Sequence, residues 1–345
     1  MNIKYIQELL SRINEIKIIG KNTEINGVVC NVAGLVLNDQ KLSLIVLEYN
    51  DQLRQQIEER EIAELCYVAL APETNRIRMK AREKVTQPFM HVKNVFIGDK
   101  EFEVSGSENH RLNVKDGESI LFLSELLRNG WNPEGVDYQN IDMMFLTRLD
   151  LNGDFTKIPD FENNPHIHFK MSKDSVSYLV EQPIILNVND EYPEKLWFKN
   201  EETGEEHWAQ INRFYFNDMW SEMERIFSGP NLQKQMTKEQ IAVAKKDFEE
   251  KFMKICPRGM CYPIIEYECD EDISLEFYTK NYLESMPVNR NNGMGFIVGT
   301  EKTTGVLGLK LKAAIIQEPV SLDTISIEAE LFQYYKTTTL DDIIL

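Results

Sequence analysis

The sequence predicts an α+β protein made mostly of antiparallel sheets with packed helices, divided into two domains. Three observations carry this expectation. Strand-like runs follow one another across short turns. Helical patterns come in clusters rather than between every pair of strands, which disfavours a doubly wound parallel sheet. And 345 residues exceed the usual size of one hydrophobic core. The Pro-flanked polar stretch 158–165 is the best linker, so the domains are placed at 1–160 and 161–345.

In chain order, Ile6, Leu9, Leu10, Ile13 and Ile16 fall at helical spacing, with Gly20 as a stop. The runs 25–37 and 41–49, joined by Asn38-Asp39, read as a hairpin, and Asp51 is placed to cap a helix carrying Leu53, Ile57, Ile62, Leu65 and Cys66. A hairpin is expected around Gly98-Asp99, then a short apolar helix from Asp116 or Ser119 to Asn129-Gly130. Asn152-Gly153 suits a type I′ turn between 145–151 and 154–157. It also half-resembles a calcium loop, but Phe155 and Phe161 stand where the loop needs its Gly and its bidentate Glu.

The second half opens with a strand over 176–188 and a hairpin, 195–199 with 206–210, across the turn 200–205. Symmetric closure sets Trp197 directly opposite Trp208. Helices are expected near 218–227, from an Asn217 or Asp218 cap, and near 238–255, from a Thr237/Gln240 capping box. The end is strand-rich: 262–269, 274–278, 295–300, 306–317 and 324–335.

The net charge is −18, from 56 acidic and 38 basic residues. Nucleic-acid phosphates would repel such a chain, so nucleic acid is excluded as a partner and a basic protein is admitted. No apolar run reaches the roughly 18–20 residues of a membrane-spanning helix, and the N-terminus lacks the apolar core of a signal peptide. No membrane association and a cytoplasmic location follow as expectations. Five widely spread cysteines argue against a disulfide framework and for reduced thiols.

Residues 256–276 concentrate the unusual composition. Cys256, Cys261 and Cys269 lie here, with an acidic run that includes Glu266, Glu268, Asp270, Glu271 and Asp272. One close cysteine pair is half of a zinc motif, and buried apolar cysteines are the simpler reading. His166 and His168 share a face if extended, with His207 as a possible third metal ligand. The aromatic stretch containing Trp197, Trp208 and Trp220 suits a binding surface where exposed. Neither the glycines of 293–299 nor GTEKTTG at 299–305 has the context of a phosphate or dinucleotide loop.

Period-two alternation places Ile264, Glu266, Glu268 and Asp270 on one face of the acidic strand, with Ile265, Tyr267 and Cys269 on the other. Three carboxylates on one face need cations. Lys310 and Lys312 on a neighbouring strand are the expected source, ahead of a divalent metal. No catalytic motif is legible and no cofactor is implied. The first reading is a non-catalytic cytoplasmic protein that binds another macromolecule, a basic protein. The alternatives are a metal-dependent hydrolase using the carboxylate and histidine cluster, and a structural subunit of a larger assembly.

Overall fold

The computed structural model describes residues 3–39, 41–51, 54–55, 74–80, 87–136, 139–159, 161, 166–287, 298–300 and 302–345. The sheets are mostly antiparallel, with helices set against them. Among the described residues no helix is long and apolar enough to cross a membrane. The chain forms two compact units: residues 1–69, 84–174 and 339–345 make the first, and residues 70–83 and 175–338 the second.

The first unit holds an eight-stranded sheet. Its strands are β1 (Ile13–Ile25), β2 (Val28–Asn38), β3 (Lys41–Asn50), β4 (Val92–Ile97), β5 (Lys100–Arg111), β6 (Met144–Asn152), β7 (Ile167–Met171) and β16 (Ile343–Ile344). They lie in the order β1-β2-β3-β6-β5-β4-β7-β16. Ile19 and Ile25 at one edge and Ile343 at the other pack against the same buried cluster, which contains Leu44, Val46, Val95 and Phe169. The sheet therefore curls around one core. On its outer face the helix Gly117–Arg128 seats Leu123 and Leu126 against Ile45 and Leu47.

Several expected elements shift here. The first helix ends at Arg12, and Ile13 and Ile16 lie in β1 instead. The span 25–37 is not one strand, because Asn26 and Gly27 (φ +51° and +78°) turn the chain between β1 and β2. Asn-Gly is the dipeptide best able to take two left-handed residues in succession. The Asn152-Gly153 hairpin does not form. Asp154 instead caps a single helical turn, accepting from the Thr156 N–H at 3.0 Å, and β6 pairs with β3 and β5. The expected helix after Asp51 lies largely outside the described residues, as does Cys66.

The second unit is a two-layer sandwich. One layer contains β9 (Leu196–Lys199), β10 (Glu206–Asn217), β11 (Met260–Cys269), β13 (Lys312–Ile315) and the short β14 (Val320–Ser321). The other contains β8 (Lys173–Asn187), β12 (Ile273–Thr279) and β15 (Ser326–Thr339). Ile211, Phe214, Ile265 and Tyr267 from the first layer share a core with Leu275, Phe277, Leu331 and Tyr334 from the second. β11 and β12 are consecutive yet lie in different layers. The Leu275 N–H donates to the Tyr267 hydroxyl at 2.8 Å, tying one layer to the other inside the core.

Two helices appear where caps predicted them. Met219–Ser228 is capped by Asp218, and Lys238–Phe252 by the reciprocal Thr237/Gln240 box, the latter ending three residues before the expected 255. Trp220, Phe252, Cys256 and Tyr262 bury together against the start of β11. The helix Asn75–Lys80 also belongs to this unit. Arg76 makes a bidentate pair with Glu330 (2.7 and 2.8 Å) and reaches Glu181 and Glu284, each at 3.0 Å. Those carboxylates, Glu330 foremost, hold its guanidinium charged.

Among the described residues of the first unit, one carboxyl is buried without a cation. Glu48, 2% exposed, faces the curled core beside Cys30. Its Oε1 accepts from the Thr147 hydroxyl at 2.7 Å, and Asn109 and Gln87 continue the chain of hydrogen bonds. Burial pushes the carboxyl up to about 7, only partly opposed by the Thr147 bond. A carboxyl raised in the native state holds its proton more tightly there than in the unfolded chain. The associated stability is complete below the ordinary carboxylate range and is lost as pH rises to about 7. Between pH 5 and pH 8 the wild type should therefore lose on the order of a few kcal/mol relative to Glu48→Gln. Urea midpoints of both proteins at the two pH values check this, and parallel behaviour would show that Glu48 is ionised in the fold.

Candidate functional site

The polar face of the second unit's larger sheet is organised by an irregularity in β10. Ala209 and Ile211 point into the core, and so do Phe214 and Phe216, although their parity is opposite. The register explains the change: Ile211 is opposite Tyr267 and Arg213 is opposite Glu266, leaving Asn212 as an extra residue. This β-bulge re-aims the side chains beyond it. Asn212 and Arg213, adjacent in sequence, both reach the wall of one cleft.

That cleft has a volume of about 390 Å³, and Glu266, Lys302, Thr304, Gly305, Val306 and Leu311 complete its lining. Arg213 Nε and Nη2 donate to the two Glu266 oxygens at 3.2 and 3.1 Å. The guanidinium also lies 4.1 Å over the Tyr215 ring. Glu266 is almost wholly buried, while about half of the Arg213 side chain is exposed to the cleft. Asn212 Oδ1 is buried and has no hydrogen-bond partner among the described residues.

Glu268, two residues along β11, is fully buried. Its carboxylate accepts from the backbone N–H groups of Leu307 (3.0 and 3.1 Å) and Leu309 (2.8 Å). These amides belong to a tight hairpin closed by Gly305 N–H to Leu309 O (3.0 Å) and Leu311 N–H to Thr303 O (3.0 Å). Val306, Leu307 and Leu309 are displayed at its tip. Gly305 lies so close to Glu268 and to the Asn212 amide that a Cβ there would overlap both.

The alternation read from the acidic strand holds, since Ile265, Tyr267 and Cys269 line the core. The expected lysine ladder does not. The strand after the hairpin does pair with β11, but it starts only at Lys312, which stands opposite Tyr267. The Lys312 ammonium turns away to the carbonyls of Asp270 (2.8 Å), Glu271 (3.0 Å) and Ile273. Lys310 lies in the hairpin, opposite Thr304. Arg213 and two backbone amides take the place of both lysines, because a buried carboxylate needs donors at hydrogen-bond range rather than diffuse positive charge.

At the end of the same sheet two turns meet. His207 Nε2 lies 3.6 Å from Glu205 and its Nδ1 3.9 Å from Asp270, so the turns 200–205 and 270–272 form one acidic corner. Lys336, 2.8 Å from Glu205, holds that carboxyl below the usual range. Glu271 and Asp272 are exposed. Trp197 and Trp208 are direct cross-strand partners, as expected. Trp197 is 59% exposed, and the Lys195 ammonium stands 3.6 Å over the Trp208 ring.

The remaining expected site residues are dispersed. Trp220 is buried under the helices, its indole N–H donating to Cys256 O at 3.0 Å. Cys256, Cys261 and Cys269 are buried free thiols, each pushed up to about 11 by burial. His168 bonds Asp342 at 2.8 Å and stacks on Phe96 in the first unit, where His166 is exposed. His207 packs among Phe198 and Tyr334 in the second. Among the described residues no group of three or more His, Cys, Asp or Glu side chains is arranged to hold a metal ion. Sequence reasoning missed the cleft residues Asn212, Arg213 and Lys302; the broken alternation of AQINRFYF marks the bulge that carries the first two, and Lys302 lies in GTEKTTG, which has no local signal of its own.

Comparison with known proteins returns no matching family model, no matching curated protein and no matching solved structure.

The packing at Gly305 yields a direct test. Gly305→Ala should dislodge the hairpin from Glu268, lowering stability by about 1–3 kcal/mol and opening 302–311 to proteolysis. Limited trypsin digestion, read at Lys302 and Lys310, measures it. Wild-type cleavage rates in the variant would mean that the hairpin is not seated on Glu268.

Proposed function

We propose that this is a non-catalytic cytoplasmic protein that works by binding another macromolecule, a basic protein partner. The observation that supports this is the acidic corner, where carboxylates from two separate turns gather around His207 at the end of the sheet that also carries the exposed Trp197. Of the acidic run in 266–272, Glu266 and Glu268 serve the fold, while Glu271 and Asp272 face outward. The net charge of −18 favours encounter with a cation-rich surface and discourages contact with nucleic acid. Trp197 adds rigid apolar area of the kind that dominates interface energetics.

Two matched variants separate site-specific binding from bulk charge attraction. Glu271→Gln/Asp272→Asn removes the two exposed charges of the corner's 270–272 turn, and Glu239→Gln/Glu250→Gln removes the same charge from the exposed face of the 238–252 helix. Fluorescence anisotropy with a labelled arginine-rich peptide should show about 3–10-fold weaker binding for the corner variant, near wild-type binding for the helix variant, and loss with rising salt. Equal weakening by both variants would sink the reading.

A further inference from the structure

The cleft at the Asn212 bulge has an unfilled hydrogen-bonding pattern, independent of the acidic corner. Arg213 spends Nε and one hydrogen of Nη2 on Glu266, a side-on pairing that leaves Nη1 and the other Nη2 hydrogen without a hydrogen-bond partner among the described residues, on a side chain about half exposed. Lys302, exposed on the same cleft, has no ion-pair partner among the described residues. Asn212 Oδ1 is a buried acceptor with no donor among the described residues. An acceptor left without a donor in such a place is costly, and a bound N–H would relieve it. Val306 and Leu311 supply apolar wall on the hairpin side.

Two cationic donor groups, one acceptor and an apolar wall define a ligand with an anionic acceptor, an adjacent N–H and an apolar side chain. We propose that this cleft binds the C-terminal residue of a peptide chain: the free α-carboxylate on Arg213 and Lys302, its amide N–H on Asn212 Oδ1, and an apolar side chain against Val306 and Leu311. A volume of about 390 Å³ suits a ligand of this size and lies in the usual range for small-ligand sites. Capture of a terminal carboxylate by fixed donors is an established mode of peptide recognition. The two carboxylates nearby do not oppose it. Glu266 is neutralised by the inner edge of Arg213, and Glu268 is buried and capped by the Leu307 and Leu309 amides.

Isothermal titration calorimetry on the full chain tests the proposal with four probes: acetyl-Gly-Gly-Leu as the free acid, the same peptide as its C-terminal amide, free leucine, and inorganic phosphate. The free acid should bind, and the amide should bind at least 10-fold more weakly, since a charged hydrogen-bond acceptor is lost. Free leucine should bind more weakly than the acylated peptide, because its ammonium places a charge where Asn212 offers a single neutral acceptor. Lys302→Gln, an exposed substitution that leaves the fold intact, should weaken the free acid about 10-fold. Arg213→Gln/Glu266→Gln removes the buried pair together and should abolish binding, with folding checked by circular dichroism. Equal binding of acid and amide, phosphate binding as tightly as the acid, or no binding of the acid to wild type would each overturn the proposal. An unchanged response of Lys302→Gln would overturn the assignment to this cleft.

Discussion

The second unit is built around a carboxylate closed off from solvent. Glu268 is fully buried on the outer face of β11, and the charge must be met by donors within about 3 Å or not at all. Two consecutive-but-one amides of a hairpin meet it. Much of the local geometry follows from that demand. The hairpin must fold back onto the sheet, Gly305 must lack a side chain, and three apolar residues are left at the tip. The seated hairpin then becomes one wall of the cleft, and the β10 bulge provides the other.

The two acidic residues of β11 show how one chemical need is met in two ways. Glu266 receives a planar guanidinium, which matches both of its oxygens and keeps half its own surface in the cleft. Glu268 receives neutral dipoles, which satisfy it without bringing a second buried charge into the sheet. A buried ion pair depends on both partners, whereas amide donors belong to a backbone that is already ordered. The side-chain pair is thus left to face the opening and the amide cradle to hold the fold.

Much of this was legible in the residues. The period-two pattern of YPIIEYEC separated core from polar face correctly, and caps at Asp218 and Thr237 located both long helices of the second unit. The six-residue turn 200–205 fixed the Trp197/Trp208 register, because hairpin length sets which residues oppose one another. What stayed hidden had definite causes. A bulge inverts parity, so β10 reads as a strand that stops at Gln210 when it runs on to Asn217. Ile13 and Ile16 fit a helical period as well as a strand, and only pairing with β2 decides between them. The partners of Glu266 and Glu268 come from 53 residues upstream and about 40 downstream, beyond the reach of local pattern.

The pinning of the 75–80 helix has a consequence for how the chain is made. Its anchor, Arg76, takes one partner 105 residues later, at Glu181, and its strongest one 254 residues later, at Glu330. At a synthesis rate of about 5–20 residues per second, the helix waits roughly 13–50 s for Glu330 to emerge. The first sheet waits as well, since β16 at Ile343–Ile344 completes its edge beside β7. Each unit is thus closed by sequence lying on the far side of the other. Neither can finish in the order in which it is translated, and slow, late-committing assembly is the behaviour expected of contacts so distant along the chain.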